Sequence, residues 1–192
     1  MGGSAEYFVC DIRSLESIQK TVPAILQKFH AIDILVNNAG IWTDEELEKE
    51  YPERRREAFE INSLGHIHFT QEILPLFKKQ NSGYIFNLIS TAGASDTPQG
   101  DNQYWMTYGA TKWALRGFTK DLATSLQNTK VKVTGFFPGG FDSNLYENAH
   151  RENPHNQPWM MKIDDIADII LFCLTRPADV NIDSLLVTKK MN

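Results

Sequence analysis

Short apolar runs alternate with longer segments of helical periodicity along this chain of 192 residues. Residues 7–10, Tyr-Phe-Val-Cys, are rich in strand formers and stop at Asp11, which predicts a buried strand. Ser14 then stands where a helix N-cap is expected, and apolar residues recur behind it at steps of three and four as far as Phe29. The opening of the chain is therefore expected to form a strand and then a helix.

The same alternation continues to the end of the chain. The later segments follow in this order: strand-like at 32–36, helical to about residue 79, strand-like at 84–89, helical at about 104–127, and strand-like at 131–137 and 180–187. Strands that alternate with helices indicate right-handed crossovers and a mostly parallel sheet covered on both faces. The pattern predicts an α/β fold, and the chain length suits one domain over residues 1–192.

Two polar stretches interrupt this alternation. The charged residues from Glu45 to Arg56 are most simply a solvated helix face. The stretch 144–159 is polar, with His150, Asn153, Pro154 and His155, and is the best candidate for a mobile loop.

Charge and composition narrow the class of partner. The net charge of −5 argues against nucleic acid or an anionic membrane, because either would favour a face rich in lysine and arginine. No segment approaches the roughly 18 consecutive apolar residues of a spanning helix, and no basic-then-apolar leader opens the chain. Cys10 and Cys173 lack Cys-x-x-Cys spacing and are expected to be buried thiols. These features predict a cytoplasmic protein whose partners are small molecules or other proteins.

Chemistry is expected at the carboxyl ends of the strands, where parallel sheets form their ligand crevice. Tyr108 and Lys112 are four residues apart on one face of a predicted helix, so the ammonium group can act on the phenol. At roughly 4 Å and an effective dielectric of about 20 this interaction is worth about 4 kcal/mol, which would lower a tyrosine pKa from about 10 toward neutrality. Taken without its context, the pair is more simply a surface pair.

Several motifs in order supply that context and resemble the short-chain dehydrogenase/reductase family. The motifs are Asn37-Asn38-Ala39-Gly40, Asn62 within Ile61-Asn62-Ser63-Leu64-Gly65, Ser90, Tyr108-Gly109-Ala110-Thr111-Lys112, and Pro138-Gly139. The resemblance covers nearly the whole chain. It implies a Rossmann-like doubly wound parallel sheet and an NAD(P)-dependent oxidoreductase that reduces a carbonyl or oxidises a secondary alcohol.

The resemblance also implies a role for each catalytic position. Tyr108 would be the general acid in reduction, and Lys112 would lower its pKa and hold the nicotinamide ribose. Ser90 would orient the substrate oxygen, and Asn62 would hold a water that connects Lys112 to a proton relay. Each residue also has a structural alternative, since Ser90, for example, could merely cap a strand end.

The cofactor positions implied by the resemblance lie after successive strands. Asp11, with Ile12 beside it, matches the residue near the adenine, and Ser143 falls where the family often contacts the carboxamide. The backbone-exposing segments are Asn38, Ala39 and Gly40 beside the adenosine ribose, and Pro138 and Gly139 beside the nicotinamide. Tyr108 and Lys112 complete the set. Asp11 could instead only precede the helix that begins near Ser14.

Two further groups of residues receive a structural reading or an open one. His66 and His68 face different directions on a helix, so no metal site is expected and both are read as packing or surface residues. Trp159, Met160 and Met161 either line a substrate pocket or anchor the end of the loop, and the sequence favours neither.

The front of the chain departs from the family pattern. The strand, the Thr-Gly-x-x-x-Gly-x-Gly turn, the helix and the second strand expected before residues 7–11 are missing, so the fold is expected to be truncated at the N-terminus, with an open edge on the strand at 32–36. Without the glycine-rich turn, NADP or NAD is expected to bind weakly, and the choice between them cannot be read. Such a chain must rearrange, pair with another copy, or be a fragment of something longer.

The resemblance leaves two functional readings and an expected assembly. The leading reading is the enzyme, and the alternative is a truncated, non-catalytic binding or regulatory protein. A homodimer or homotetramer is expected through the helices at 55–79 and 104–127. The C-terminal strand region looks more like the branch that acts on small 3-oxo or 3-hydroxy acids.

Overall fold

The structure is a computed structural model that describes residues 3–43, 51–94, 106–150, 152 and 154–190. Five α-helices and four β-strands lie in these ranges. In chain order they are α1 (Leu15–Phe29), β1 (Ile34–Asn37), α2 (Pro52–Phe59), α3 (Gly65–Gln80), β2 (Gly83–Leu88), α4 (Met106–Leu126), β3 (Val131–Pro138), α5 (Ile163–Leu174) and β4 (Ser184–Val187). A π-helical turn, Glu60–Leu64, joins α2 to α3.

The four strands form one parallel sheet in the order β1-β2-β3-β4. Every residue of β2 is buried, because β1 and β3 flank it and helices cover both faces. A parallel sheet covered on both faces needs such continuous apolar runs, which is why 84–89 and 131–137 could be read as strands. The predicted doubly wound α/β fold is confirmed.

Two apolar clusters lie on the two faces of this sheet. On one face Ile85 and Val133 pack with α1, α3 and α4 residues such as Ile18, Phe77 and Leu122. On the other face Tyr84, Phe86 and Phe136 pack against α5 through Ile166 and Cys173. The sequence analysis assigned no element to Ile163–Leu174, so α5 is an addition made by the structure.

Helix α1 begins where its sequence predicts. The Ser14 side chain accepts a hydrogen bond from the Ser17 N–H at 3.2 Å, which satisfies one of the amides left free in the first turn. The helix ends at His30, whose φ of 66° lies in the left-handed region. Pro23 is accommodated within the helix.

The prediction of a buried strand at residues 7–10 is wrong. No strand is assigned there, and Tyr7 and Val9 are 88% and 90% exposed. Phe8 packs edge-on against Phe29 with 6.5 Å between the ring centres. Cys10 packs against the apolar cluster that contains Ile18 of α1, so one side of this extended segment is covered. Among the described residues no strand lies beside it, and an apolar run becomes a buried strand only when neighbours cover it.

The open edge expected beside residues 32–36 is present. Within the described ranges β1 pairs with β2 alone, and Ile34 and Val36 on it are exposed. Both cysteines are free thiols, but Cys10 is half-buried while Cys173 is buried. No helix in the described part of the chain has the length and apolar character needed to cross a membrane.

The two polar stretches are described in part. Residues 44–50 of the charged stretch lie outside the described ranges, and α2 occupies the end of it. In the stretch 144–159, residues 151 and 153 are not described, a short 3-10 turn forms at Glu147–Ala149, and the Asn148 N–H donates to the Asn144 carbonyl at 2.9 Å. A backbone bridge between Phe141 and Met161 closes the base of this loop.

Candidate active site

The carboxyl ends of β1, β2 and β3 meet at a cavity of about 590 Å³. Most of the residues that the sequence singled out line this cavity: Asn38, Ala39, Gly40, Ser90, Tyr108, Lys112, Pro138, Gly139 and Ser143. They come from four separate stretches of chain, and the parallel sheet brings them together because its strands all end at the same edge.

Tyr108 lies in the first turn of α4 and is only 6% exposed. Its hydroxyl forms a side-chain hydrogen bond with Ser90. Burial raises the pKa of Tyr108 to about 12; the bond to Ser90 opposes this rise and the nearby Tyr146 adds to it. The phenol is therefore protonated at neutral pH, in the state that can donate a proton.

Lys112 lies one turn further along α4, and its buried ammonium group lies over the Tyr108 ring. Its Nζ is 5.5 Å from the centre of the Tyr108 ring and donates to the Leu88 carbonyl at 3.4 Å. Burial lowers the pKa of Lys112 to about 8, because the charged ammonium loses its hydration.

The electrostatic expectation for this pair was wrong in direction. A lysine roughly 4 Å away was expected to lower the pKa of Tyr108, yet that pKa is raised. The geometry explains the result, since the ammonium group lies over the ring while burial removes water from the hydroxyl. The shared helix face was correct, but the degree of burial was not readable from spacing.

Ser90 follows the end of β2 in an unusual backbone conformation. Its φ of 145° and ψ of 156° belong to a region that residues other than glycine rarely adopt, at a cost of about 1–3 kcal/mol. Its Oγ accepts a hydrogen bond from the Ala92 N–H at 3.1 Å, which caps the short 3-10 turn Thr91–Gly93. Ser90 therefore has a structural role as a cap, and its side chain also contacts Tyr108.

Asn62 lies in the π-helical turn and is fully buried beside the site. Its Oδ1 accepts from the Ile41 N–H at 2.8 Å, and its Nδ2 donates to the Ile41 carbonyl at 3.0 Å and the Thr111 hydroxyl at 3.2 Å. The side chain therefore fastens the loop after β1 to the helix that carries Tyr108 and Lys112. A water relay through Asn62 remains a prediction.

A second buried polar network holds the strands behind the site. Asn37 and Asn87 are register partners on β1 and β2, and Asn37 Nδ2 donates to Asn87 Oδ1 at 2.8 Å and to the Thr70 hydroxyl at 3.0 Å. Asn87 Nδ2 donates in turn to the Thr119 hydroxyl at 2.8 Å. Asn37 bonds with side chains of neighbouring elements, and sequence reasoning missed Asn87 and Thr119.

The segments expected beside the adenosine ribose, 38–40, and beside the nicotinamide, 138–139, fit such groups. The small residues of 38–40 and 138–140 border one continuous cavity that also contains the Lys112 and Ser143 side chains. A Cβ built on Gly40 would lie 3.4 Å from Asn62 Oδ1 and 3.8 Å from Leu145, which are ordinary contact distances. Lys112 would bind a ribose and Ser143 would bind a carboxamide. The small residues would leave room for both groups.

The two positions expected near the adenine do not line this cavity. Asp11 is bound by Arg13, whose NH2 and Nε donate to its two carboxylate oxygens, each at 2.9 Å. This contact lowers the pKa of Asp11. Ile12 packs against the apolar cluster that contains Ile18 of α1, and also against Gly65. A Cβ built on Gly65 would lie 2.5 Å from Ile12 Cγ1. Asp11 and Ile12 therefore act structurally in this arrangement.

Sequence reasoning missed an aromatic group around the Tyr108 phenol. The Trp42 ring centre lies 4.6 Å from that of Tyr108 and 5.0 Å from that of Tyr146, and Leu145 packs beside them. Trp42 comes two residues after Gly40 at the carboxyl edge of the sheet, which is a signal that could have identified it. Tyr146 is brought in by the loop after β3, and no local pattern marks it.

The remaining candidates have the following places. His66 is fully buried and neutral, because burial and the charge of Lys112 lower its pKa to about 3, and neither of its ring nitrogens has a hydrogen-bond partner of normal geometry. This agrees with its reading as a packing residue. Of the three residues 159–161, Trp159 lines the cavity, and Met161 closes the base of the loop through its bridge to Phe141.

The sequence profile of the family described as short chain dehydrogenase matches residues 1–154. An uncharacterized oxidoreductase of Staphylococcus epidermidis is 30% identical over 183 residues, covering 95% of this chain and 76% of that protein. An NADP-dependent 3-hydroxy acid dehydrogenase of Escherichia coli is 30% identical over 183 residues, covering 91% of this chain and 72% of that protein. The chain belongs to the short-chain dehydrogenase family and is an oxidoreductase of that family.

Solved structures give the same fold. A serine dehydrogenase in its closed form with NADP+ is 29% identical, with a TM-score of 0.80 over 94% of this chain and 74% of that one. An alcohol dehydrogenase of Thermococcus sibiricus complexed with 5-hydroxy-NADP is 25% identical, with a TM-score of 0.80 over 93% of this chain and 72% of that one. The expected family and Rossmann-like fold are thus confirmed.

Proposed function

We propose that this chain catalyses NAD(P)-dependent reduction of a carbonyl compound, or oxidation of the corresponding secondary alcohol. The observation that carries the proposal is the hydrogen bond between the Ser90 and Tyr108 side chains, with the Lys112 ammonium 5.5 Å from the tyrosine ring. The three groups lie at the carboxyl edge of the sheet, where one carbonyl oxygen can contact both hydroxyls.

The chain's own residues handle the proton and the oxygen. A bound nicotinamide would supply or accept hydride at the carbonyl carbon. The Tyr108 hydroxyl then donates its proton to the developing alkoxide, and it takes the proton back when the alcohol is oxidised. Ser90 stabilises the same oxygen with a second hydrogen bond. Lys112 stabilises the phenolate left on Tyr108, in a site whose burial strengthens that attraction.

NADP or NAD is the proposed cofactor, bound weakly and chiefly through its nicotinamide half. The NADP complexes of the serine and alcohol dehydrogenase structures favour the phosphorylated form. Asp11 is already neutralised by Arg13, so the adenine side has little polar support among the described residues. Titration calorimetry should give a Kd for NADPH well above the micromolar range; micromolar binding would contradict the proposal of weak affinity.

The activity is tested by following NADPH oxidation with a panel of aldehydes and ketones at high cofactor concentration. Tyr108→Phe should abolish turnover, because it removes the hydroxyl group that carries the transferred proton. Tyr51→Phe is the matched control, since Tyr51 is largely exposed and lies outside the cavity. Retained turnover in Tyr108→Phe would overturn the mechanism.

The alternative is a non-catalytic binding or regulatory protein, and the observation that favours it is the exposed N-terminal segment with its engaged Asp11. That protein would bind a dinucleotide or a partner without turnover in any member of the panel. We expect one domain and assembly as a homodimer or homotetramer in the cytoplasm; light scattering that shows a monomer would contradict the assembly.

A further inference from the structure

The cavity beside the catalytic phenol has an aromatic wall. The Trp42 ring is tilted by 38° against Tyr108 and by 34° against Tyr146, at ring-centre distances of 4.6 and 5.0 Å, and Leu145 packs against the same group. A carbonyl oxygen that reaches Ser90 and the Tyr108 hydroxyl brings its substituents toward this group. Trp42 and Tyr108 are only 7% and 6% exposed, so the half-buried Leu145 and Tyr146 provide most of the apolar surface that a substrate meets here.

Trp159 extends this wall toward solvent. The ring packs so closely on Gly140 that a Cβ built there would lie 2.2 Å from Trp159 Cζ3. Gly140 therefore leaves room for the indole, which is 41% exposed and lines the cavity. Phe141 and Ile163 border the same side.

Positive charge is scarce around this wall. Among the described residues that line the cavity, Lys112 is the one cation, and it is buried beneath Tyr108 and hydrogen-bonded to the Leu88 carbonyl. On the adjoining loop, the carboxylates of Asp142 and Glu147 contact His155. A carboxylate against Trp42 would lose hydration without gaining an ionic partner, which is costly.

Two stretches of sequence outside the described ranges have a similar composition. The stretches 44–50 and 95–105, which follow Thr43 and Ala94 in the chain, contain acidic residues and a single lysine: Asp44, Glu45, Glu46, Glu48, Glu50, Asp96, Asp101 and Lys49. The Escherichia coli relative is a 3-hydroxy acid dehydrogenase, whose substrate carries a carboxylate. The composition of this cavity does not match that kind of substrate.

On the basis of the function proposed above, we infer that the substrate is an uncharged carbonyl compound with an aromatic or bulky apolar substituent that packs against the wall formed by Trp42, Tyr146 and Trp159. The neutral donors of the cavity, such as Asn144 and Asn148, suit ester, ether or hydroxyl groups on that substituent. Compounds that carry a carboxylate next to the carbonyl are discriminated against.

The test compares ethyl benzoylformate with benzoylformate, which share the aryl ketone and differ in the charge of the neighbouring group. With the full chain and saturating NADPH, kcat/KM should be about tenfold or more higher for the ester, the size expected when a buried charge is left unpaired. Equal or better turnover of benzoylformate would overturn the inference and leave the reductase function standing. If that turnover is lost in Arg151→Ala, the loop supplies the cation and the inference is equally overturned.

Binding is measured separately by quenching of tryptophan fluorescence, so that the two proposals can fail independently. The ester should quench saturably, and Trp42→Phe should weaken its binding several-fold while Trp113→Phe, on the outer face of α4, leaves it unchanged. Selective binding of the ester without turnover supports the cavity inference and contradicts the reductase function. Failure of the ester to bind overturns the inference.

A charge introduced at the mouth of the cavity gives the sharpest test. Trp159→Arg should shift the kcat/KM ratio at least about tenfold toward benzoylformate, because it removes an aromatic contact and adds an ionic partner. An unchanged ratio would show that Trp159 does not face the substrate and would overturn its part in the inference. Circular dichroism confirms that the variant is folded.

Discussion

The carboxyl edge of the central strands and the N-terminal flank of the molecule differ in how completely neighbours cover them; we define the N-terminal flank as residues 3–13 and the free edge of β1. At the carboxyl edge, Asn62, Asn87 and Tyr108 are buried and hydrogen-bonded. On the N-terminal flank, Tyr7 and Val9 are almost fully exposed, and β1 is paired on one side in the described structure.

This difference separates two parts of an oxidoreductase that the family normally joins. The groups that would transfer the proton are held by hydrogen bonds that reach α3, α4 and the π-helical turn, whereas the N-terminal flank meets this support through packing of Ile12 against Gly65. The groups that would bind the far half of a dinucleotide depend on that flank, where Asp11 is bound to Arg13 instead. Catalytic geometry and cofactor affinity are therefore expected to respond to different substitutions.

The largest effect is expected at the carboxyl edge itself. Ser90→Ala removes the hydroxyl that is proposed to bind the reacting oxygen and should reduce kcat by about 10²–10³, as for the loss of one oxyanion donor. Ser125→Ala is the matched control, since Ser125 is exposed at the far end of α4. Steady-state NADPH oxidation measures both, and a Ser90→Ala enzyme as fast as Ser125→Ala would remove the catalytic role of Ser90.

The contrast in burial can be broken directly by a pair of truncations. Phe136→Ala, in the fully buried centre of β3, should lower the free energy of unfolding by about 3–5 kcal/mol. Val9→Ala, which is 90% exposed, should change it by about 0.5 kcal/mol or less. Urea unfolding monitored by circular dichroism measures both. A loss of several kcal/mol in Val9→Ala would mean that this segment is covered in solution.

A smaller effect is expected where the carboxyl edge is fastened to its support. Asn62→Ala leaves the Ile41 N–H, the Ile41 carbonyl and the Thr111 hydroxyl without their shared partner. The free energy of unfolding should fall by about 1–3 kcal/mol, the cost of unsatisfied buried groups. Asn128→Ala, on the exposed turn after α4, is the control in the same denaturation experiment, and equal values for the two variants would contradict the fastening role.

The smallest effect concerns the loop beside the cavity. His155 Nδ1 contacts Asp142 Oδ1 at 2.5 Å and Nε2 contacts Glu147 Oε1 at 3.3 Å. Hydrogen bonds to Asp142 and then to Glu147 raise the pKa of His155, and the bond to His155 is the largest cause that lowers the pKa of Asp142. The histidine's contribution is complete below its unfolded pKa of about 6.5 and is lost as pH rises through its raised folded pKa.

The aspartate contributes above its unfolded pKa and loses its contribution as pH falls through its lowered folded value. The loop should therefore be held best between the two folded pKa values. Limited proteolysis should cut residues 142–156 faster at pH 9 than at pH 6, and His155→Ala should remove that difference. His30→Ala, at the end of α1, should retain it; a pH-independent cleavage rate in the unmodified chain would contradict this account.

Much of the carboxyl edge could be predicted because its signals are local in the chain. The helix start at Ser14, the run that became β2 and the four-residue spacing of Tyr108 and Lys112 each depend on neighbours within about one or two turns. Residues 7–10 were misread for the opposite reason. Their composition is that of a strand, but burial requires strands beside them that the described residues do not supply.

The order of strands and helices and the residues that follow each strand could be read from the sequence, because periodicity and turn chemistry act over a few residues. The family could be recognised from the motifs that stand in that order. Three properties became visible only in the folded molecule: the pKa of Tyr108 is raised, Trp42 packs between Tyr108 and Tyr146 in one aromatic group, and Asp11 pairs with Arg13. Those properties depend on burial and on contacts between residues far apart in the chain, which only the packed molecule specifies.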